Sequence, residues 1–419
     1  MNAYIICGLL LVFGLFSMPV KILASQTIDS ATHVKQHPTA THPVKETVLE
    51  GLAHPWSMAF ISEHEALISE KDGHLLKVNL LTKQKFIIKN FPDDLAVKLT
   101  IDASKYEAGI YPASLTGRTG SFNMGIFDVV LDPNFVTNNF VYIAYAAQKD
   151  DTFATKVIRA VLTGNALSDV RSLFVADPFT PGAWHFGGGL VFANDGKLII
   201  TIGERLFNEI NQPAMPIAQN LQDKRGKIHR INSDGTIPSD NPTFISKGSG
   251  NQAISSIYAM GIRAAQGLTV NPYSGSIWFT EHGTNQGDEI NILKKGANYG
   301  WPIKTSGTYR YSDYKPPALP ERTFSDPIWH WRQTVAPTGL IFYTGDEFPA
   351  WKNNLFVSGL SRGSLWRITI DGEVVKSMEE LFVDDRVRSR KVIQSPQGKL
   401  YILTDEDNGK IIRIRNSKR

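Results

Sequence analysis

Apolar residues along this chain come in short alternating runs broken by turn formers, and from about residue 51 one arrangement recurs. A short apolar strand is followed by a turn containing Asp, Asn, Pro or Gly, and then by a second apolar strand. It is found at Ser57-Met58-Ala59-Phe60 with Ala66-Leu67-Ile68, at residues 127–133 with 141–145, at 190–196 with 198–202, at 267–272 with 276–279, at 339–343 with 354–357, and at 391–398 with 400–403. Residues 226–231, 364–368 and 410–414 read as further strands closing individual copies. Six irregular copies with no long helical period between them indicate radial repetition, which predicts an all-β fold: a six-bladed β-propeller of four-stranded antiparallel blades. A tandem of small sandwiches would need linkers between units, and no Ser/Pro-rich spacer occurs after residue 50. The copies are spaced more widely than the ~40 to 50 residues of compact propeller repeats, so the extra length is assigned to loops on one face, where propellers build their sites. Closure of the ring predicts an N-terminal strand beside the last blade, because an open ring would expose long strand edges.

Ahead of the repeats, residues 4–16 are apolar but interrupted by Gly8 and Gly14, and Ser17 and Pro19 follow. This run is shorter than the ~20 residues of a spanning helix and leads into Ile22-Leu23-Ala24-Ser25, so residues 1–25 read as a secretory signal peptide. The alternative is an uncleaved membrane anchor. With the signal removed, a periplasmic or secreted protein without stable membrane insertion is expected. Residues 26–48 are rich in Thr, His, Pro and Lys without an apolar period and read as a flexible linker, in which His33, His37 and His42 are too irregularly spaced to suggest a metal site. The propeller domain is then assigned to residues 49–419.

Composition narrows the picture further. The chain is 42% hydrophobic and 20% charged with 34 Gly and 22 Pro, an ordinary globular balance rich in turn formers. Its formal charge of +4 drops by one when Lys21 leaves with the leader, too small an excess to imply nucleic acid. The single cysteine, Cys7, lies in the leader, so the exported protein has no disulfides and relies on its core or on metal ions.

The candidate chemistry centres on Trp184-His185-Phe186-Gly187-Gly188-Gly189-Leu190, which places an imidazole in a glycine-rich loop entering a strand. Glycine lets the backbone turn through positive φ and lets a ligand approach the main chain; burying a histidine requires neither. The alternative is a satisfied turn histidine. Arg388 and Arg390 flank Ser389, so in a strand both guanidinium groups point to one face. Residues 281–289 form a loop with clustered hard oxygen donors, suited either to Ca²⁺ or to a solvated acidic turn.

Taken together, Gly51-Leu52, His54-Pro55-Trp56-Ser57-Met58-Ala59-Phe60, His185-Phe186-Gly187-Gly188, Gly203-Glu204-Arg205, Gly226-Lys227-Ile228, Gly261-Ile262-Arg263 with Gln266-Gly267-Leu268, Glu281-His282-Gly283, Gly287-Asp288-Glu289-Ile290-Asn291, Asn298-Tyr299-Gly300-Trp301-Pro302 and Ala336-Pro337-Thr338-Gly339 keep a fixed order along the chain. In these segments the chain resembles the soluble quinoprotein sugar dehydrogenases, which use pyrroloquinoline quinone (PQQ). The resemblance implies an oxidoreductase converting the anomeric hydroxyl of an aldose to a lactone, with a small-molecule sugar substrate and an external electron acceptor. By the same resemblance His185 is the general base, and Arg263, Arg388 and Arg390 clamp the PQQ carboxylates, with Asn123 touching the cofactor. The carbonyls of Gly283 and Thr284 would hold a cofactor-bridging Ca²⁺, and Asp288, Glu289 and the carbonyl of Tyr299 a second, structural Ca²⁺.

Several positions depart from the family pattern. Asn123 stands for a glutamine, Ala264 for an asparagine, Ser361 for a lysine and Thr284 for a proline. Three polar cofactor contacts are thereby shortened or lost, each worth on the order of 1 to 3 kcal/mol. The alternative reading is therefore a non-catalytic propeller binding module with lost or weakened PQQ binding, since fold does not guarantee function. A metal hydrolase propeller fits less well, because the chain has neither a His-rich metal constellation nor a nucleophile elbow.

Overall fold

Strands of this length cannot bury two faces alone, so they stack sheet against sheet, and here they do so six times. A computed structural model describes residues 42–105, 113–205, 214–244, 254–310, 314–361, 363 and 365–417. The expected signal peptide, Cys7, His33, His37 and the linker up to residue 41 lie outside the described residues. Blade 1 comprises Pro55–Phe60, Glu65–Glu70, Leu75–Asn79 and Lys85–Ile87. Blade 2 comprises Ile126–Leu131, Phe140–Lys149, Thr152–Thr163 and Ala166–Val175. Blade 3 is built from Gly187–Phe192, Leu198–Ile202, Lys227–Ile231 and Ile257–Met260, and blade 4 from Ala265–Val270, Ile277–Glu281, Glu289–Ile292 and Trp329–His330. Blade 5 is formed by Pro337–Phe342, Leu355–Gly359, Leu365–Asp371 and Val374–Leu381. Blade 6 takes Ser389–Gln394, Leu400–Thr404 and Gly409–Asn416 from the C-terminal end and completes its sheet with Pro43–Leu52 from the N-terminal end.

The six apolar pairs read from the sequence are the first and second strands of the six blades, and the expected closure by an N-terminal strand is present. That closing strand begins at Pro43, inside the stretch read as linker. It escapes an apolar-period search because it is an edge strand covered on one side only, with no buried residue before Leu49. Among the described residues no helix is long and apolar enough to cross a membrane.

The second strands of blades 3, 5 and 6 are buried throughout, each pressed between neighbouring blades. Large rings knit adjacent blades: Trp56 meets Phe127 at 5.1 Å between ring centroids, Phe127 meets Phe186 at 5.4 Å, and Trp278 meets Phe342 at 5.2 Å. Residues of all six first strands line an axial channel of about 420 Å³. Beside it the buried Asp128 joins three more blades, accepting from Ser57 Oγ at 2.5 Å, Leu190 N at 3.0 Å and Lys391 Nζ at 2.5 Å.

One feature shared by the blades positions the site. Each first strand has a break in register near its start. Several are entered through left-handed residues, among them His54, Phe122, His185 and Ala336. Such breaks re-aim side chains and are frequent beside active sites. In an antiparallel blade the start of the first strand and the end of the second share one face, so those two sets of loops form a single rim.

Candidate active site

The rim gathers the residues singled out from the sequence. Asn123 precedes the first strand of blade 2, His185 that of blade 3, Arg263 that of blade 4, and Arg388 that of blade 6. Gly283, Thr284 and Asp288 follow the second strand of blade 4.

His185 adopts φ +45°, and the next two glycines φ +77° and +88°. Side chains at those glycines would run into backbone of the neighbouring strand and into the Phe127 ring, so only glycine allows the loop to pass there. Three bonds fix the loop from behind. The Arg205 guanidinium donates to the carbonyls of Trp184 (2.9 Å), Phe153 (2.8 Å) and Gly182, and it stacks 3.8 Å over the Phe186 ring. Asn123 N donates to the Ala183 carbonyl at 3.2 Å, which ties the Asn123 loop to the histidine loop.

The His185 side chain is 14% exposed, and its Nδ1 lies 3.0 Å from Oε1 of the fully buried Glu204. With Nδ1 taken by a carboxylate, Nε2 is the nitrogen left for proton transfer. Burial, and after it the positive charge of Arg263, hold the ring down at about 4, against an upward pull from Glu204. The imidazole is therefore neutral at physiological pH and able to accept a proton. Glu204 was quoted in a motif but given no role by sequence reasoning. It stands just past the second strand of the blade whose first strand His185 precedes.

Arg388, just before the first strand of blade 6, and Arg390, within it, both reach Asp405 Oδ2, at 3.2 and 2.6 Å. Their surroundings differ. Arg390 is 5% exposed, donates to Gln266 Oε1 at 3.0 Å, and lies 4.2 Å over the Trp56 ring, with its Nε buried and without a partner. Arg388 is 51% exposed. Asp405 also binds His54 Nδ1 at 3.0 Å and lies 3.6 Å from Lys71 Nζ. Burial alone would raise Asp405, but Arg390, His54 and Lys71 outweigh it and hold the carboxyl far below its usual range. Sequence reasoning assigned no role to Lys71 or Asp405.

Arg263 is buried, and its Nη1 donates to the Gly283 carbonyl at 2.5 Å and the His282 carbonyl at 3.3 Å. It also lies 5.3 Å from the Trp301 ring centroid. Thr284 is buried and its hydroxyl donates to the Thr308 carbonyl.

The expected second metal set divides. Asp288 accepts three backbone amides, from Gly283 at 2.8 Å and from Val335 and Ala336 at 2.7 Å each, so both its oxygens are engaged in holding two loops together. Glu289 and Tyr299 instead line a polar cavity of about 20 Å³ together with Glu281, Gly261, His282 and Gly283. Burial, and then the Glu289 charge, push Glu281 up to about 8, and burial raises Glu289 as well. Two buried carboxylates beside a space the size of one ion make a donor set that suits a hard cation. The hairpin after the second strand of blade 1 holds a separate group, Glu70, Asp72 and His74, whose ligand atoms lie within 4.8 Å of one another.

Comparison with known proteins places this geometry in context. The family model for glucose/sorbosone dehydrogenases matches residues 52–413. Aldose sugar dehydrogenase YliI of Escherichia coli (strain K12) is 34% identical over 376 residues, covering 88% of this chain and 92% of its own. Quinoprotein glucose dehydrogenase B of Acinetobacter calcoaceticus is 27% identical over 439 residues, covering 86% and 85%. The crystal structure of the soluble aldose sugar dehydrogenase from Escherichia coli in its apo-form superposes with a TM-score of 0.76 at 31% identity, covering 90% of this chain and 100% of that one.

Proposed function

The chain belongs to the glucose/sorbosone dehydrogenase family, and on that premise we propose that it is an exported, PQQ- and Ca²⁺-dependent enzyme that oxidises the anomeric hydroxyl of aldoses to lactones. Membership of that family makes the chain a sugar oxidoreductase. The single observation that carries the mechanism is His185 held on Nδ1 by a buried Glu204.

His185 Nε2 would take the proton of the anomeric hydroxyl while the C1 hydrogen leaves with its electron pair, which makes C1 the carbonyl carbon of the product. Glu204 keeps the ring in one orientation and stabilises the imidazolium once the proton arrives. When bound, PQQ supplies the two-electron acceptor, and an external acceptor then receives the electrons. The residues present fit such a group: Arg390 has a buried, unpartnered Nε, and two guanidinium groups share the single carboxylate of Asp405. Arg388, Arg390 and Arg263 would hold the PQQ carboxylates, with Asn123 on the rim beside the histidine loop. A cofactor-bridging Ca²⁺ would take the carbonyls of Gly283 and Thr284, and the Gly283 carbonyl would then share or release its bond from Arg263. For the structural Ca²⁺, Glu281 would stand in for the expected Asp288, alongside Glu289 and the Tyr299 carbonyl.

The apolar run at residues 4–16, as part of a leader over residues 1–25, would direct the protein to the periplasm or beyond. The test is reconstitution: purified protein given PQQ and Ca²⁺ should develop a cofactor spectrum that glucose or another aldose reduces. No aldose oxidation at saturating PQQ and Ca²⁺ would overturn the enzyme reading and leave the rim as a recognition surface.

A further inference from the structure

The group around Asp405 is out of charge balance. One buried carboxylate faces two guanidinium groups, from Arg388 and Arg390, the Lys71 ammonium and the His54 imidazole. The nearby acids do not redress it. Asp407 is fully exposed and engages only the far side of the imidazole, His54 Nε2, at 2.7 Å. Glu70 turns away to accept the Ala53 amide at 2.8 Å. At neutral pH three cations against one anion leave a local excess of about two positive charges, an arrangement that favours a bound anion with more than one negative group.

Lys71 is set apart by its position. Its side chain is 12% exposed and its amide donates to the His54 carbonyl at 3.3 Å. Its main chain packs on Gly125 so closely that a Cβ there would collide with it. Gly125 ends the loop that carries Asn123, and that loop is bonded at Ala183 to the segment bearing His185. Lys71 therefore lies on blade 1, between the arginine pair of blade 6 and the Asn123 and His185 loops of blades 2 and 3. Burial, and then Arg390 and Arg388, push its ammonium down to about 8, as expected for a cation held close to others.

We propose that Lys71 is the third cation of the polycarboxylate site, taking a carboxyl group that Arg388 and Arg390 leave unpaired. The proposal rests on the PQQ reading of the site and adds a residue from a different blade to it. A planar guanidinium pair where one strand begins would grip one end of a rigid tricarboxylate, and a point charge on the neighbouring blade is placed to take another.

The test uses the full Ca²⁺-loaded protein and three variants, Lys71→Met, Lys71→Gln and Lys71→Arg, with PQQ affinity read from quenching of tryptophan fluorescence and Tm measured without PQQ. Losing one charge-assisted contact should raise the PQQ Kd at least about tenfold in the Met and Gln variants, and far less in the Arg variant. Tm without PQQ should stay level or rise, because removing one of several crowded cations relieves repulsion, whereas a purely structural lysine would lower Tm and leave Kd alone. A PQQ Kd within about twofold of wild type in folded Lys71→Gln overturns the proposal. Citrate, a simple tricarboxylate, separates the two readings. If wild type fails to bind PQQ, the cofactor reading falls, and Lys71 stands only if citrate raises the Tm of wild type and not of Lys71→Gln. Equal stabilisation of both by citrate overturns it.

Discussion

Replacing Glu204 by Gln is the sharpest probe of the mechanism, because it removes a charge and almost no volume. Glu204 is fully buried and bonds His185 Nδ1 at 3.0 Å, so an amide can keep the ring in place but cannot balance an imidazolium. A charge-assisted bond exceeds a neutral one by about 1 to 2 kcal/mol, which corresponds to a loss of roughly 5- to 30-fold in kcat/KM. His185→Ala, which removes the base itself, should cost about 10²- to 10⁴-fold. Because Glu204 acts through His185, the double variant should be no slower than His185→Ala alone. The pH profile gives an independent sign. Burial and Arg263 lower His185 to about 4 while Glu204 raises it, so activity should survive well below the ordinary histidine value of 6.5 and fail near pH 4. Glu204→Gln should move that acid limb to still lower pH while lowering the plateau. The assay is aldose-dependent reduction of an artificial acceptor at saturating PQQ and Ca²⁺, with PQQ affinity measured alongside. Full activity in Glu204→Gln, or a double variant slower than His185→Ala by the full Glu204 factor, would refute the coupling.

Chelation should lower Tm, and saturating Ca²⁺ at about 100 times its Kd should restore about 2.7 kcal/mol; Glu281→Gln should abolish that restoration, and a Ca²⁺ response equal to wild type would exclude Glu281 as a ligand. Asp288→Ala should lower Tm with or without Ca²⁺, because it frees three backbone amides; a loss confined to the Ca²⁺-loaded protein would make Asp288 a ligand after all. Gly203→Ala would push a Cβ into the His185 carbonyl, so turnover should collapse while a far-ultraviolet circular dichroism spectrum stays β-rich; unchanged turnover would show that the loop tolerates displacement. Deleting residues up to Leu52 would remove the outer strand of blade 6 together with the buried Leu49 and Leu52, and limited proteolysis should then find no resistant core.

Much of the site was within reach of the sequence once the repeat was recognised. The blade pattern places both sets of rim loops, and His185, Arg263 and Arg388 stand where a first strand begins. The residues passed over also sit at equivalent places. Glu70 and Glu281 end second strands, and Glu204 and Asp405 follow them closely, so aligning the blades with one another would have marked an acid on the same rim four times. Asp288 and Glu281 were harder to tell apart, because both are acids in one oxygen-rich loop. They differ in what surrounds each: Asp288 accepts amides from residues 335 and 336, whereas Glu281 accepts the Arg263 amide and lines a small polar cavity.

The sequence by itself determined the first two strands of each blade, the number of blades, the ring and the face that carries the loops, because alternation with period two and turn chemistry are local properties that survive in any context. Only the tertiary structure decided the partners. His54 meets Asp405 across 351 positions of chain and Lys391 meets Asp128 across 263, and such pairs exist only once the ring has closed. Closure also separates Arg390, buried against Trp56 and Gln266, from Arg388, left half in solvent two residues away. Burial and charge at each rim position are sums over neighbours from several blades, and no stretch of sequence contains those neighbours together.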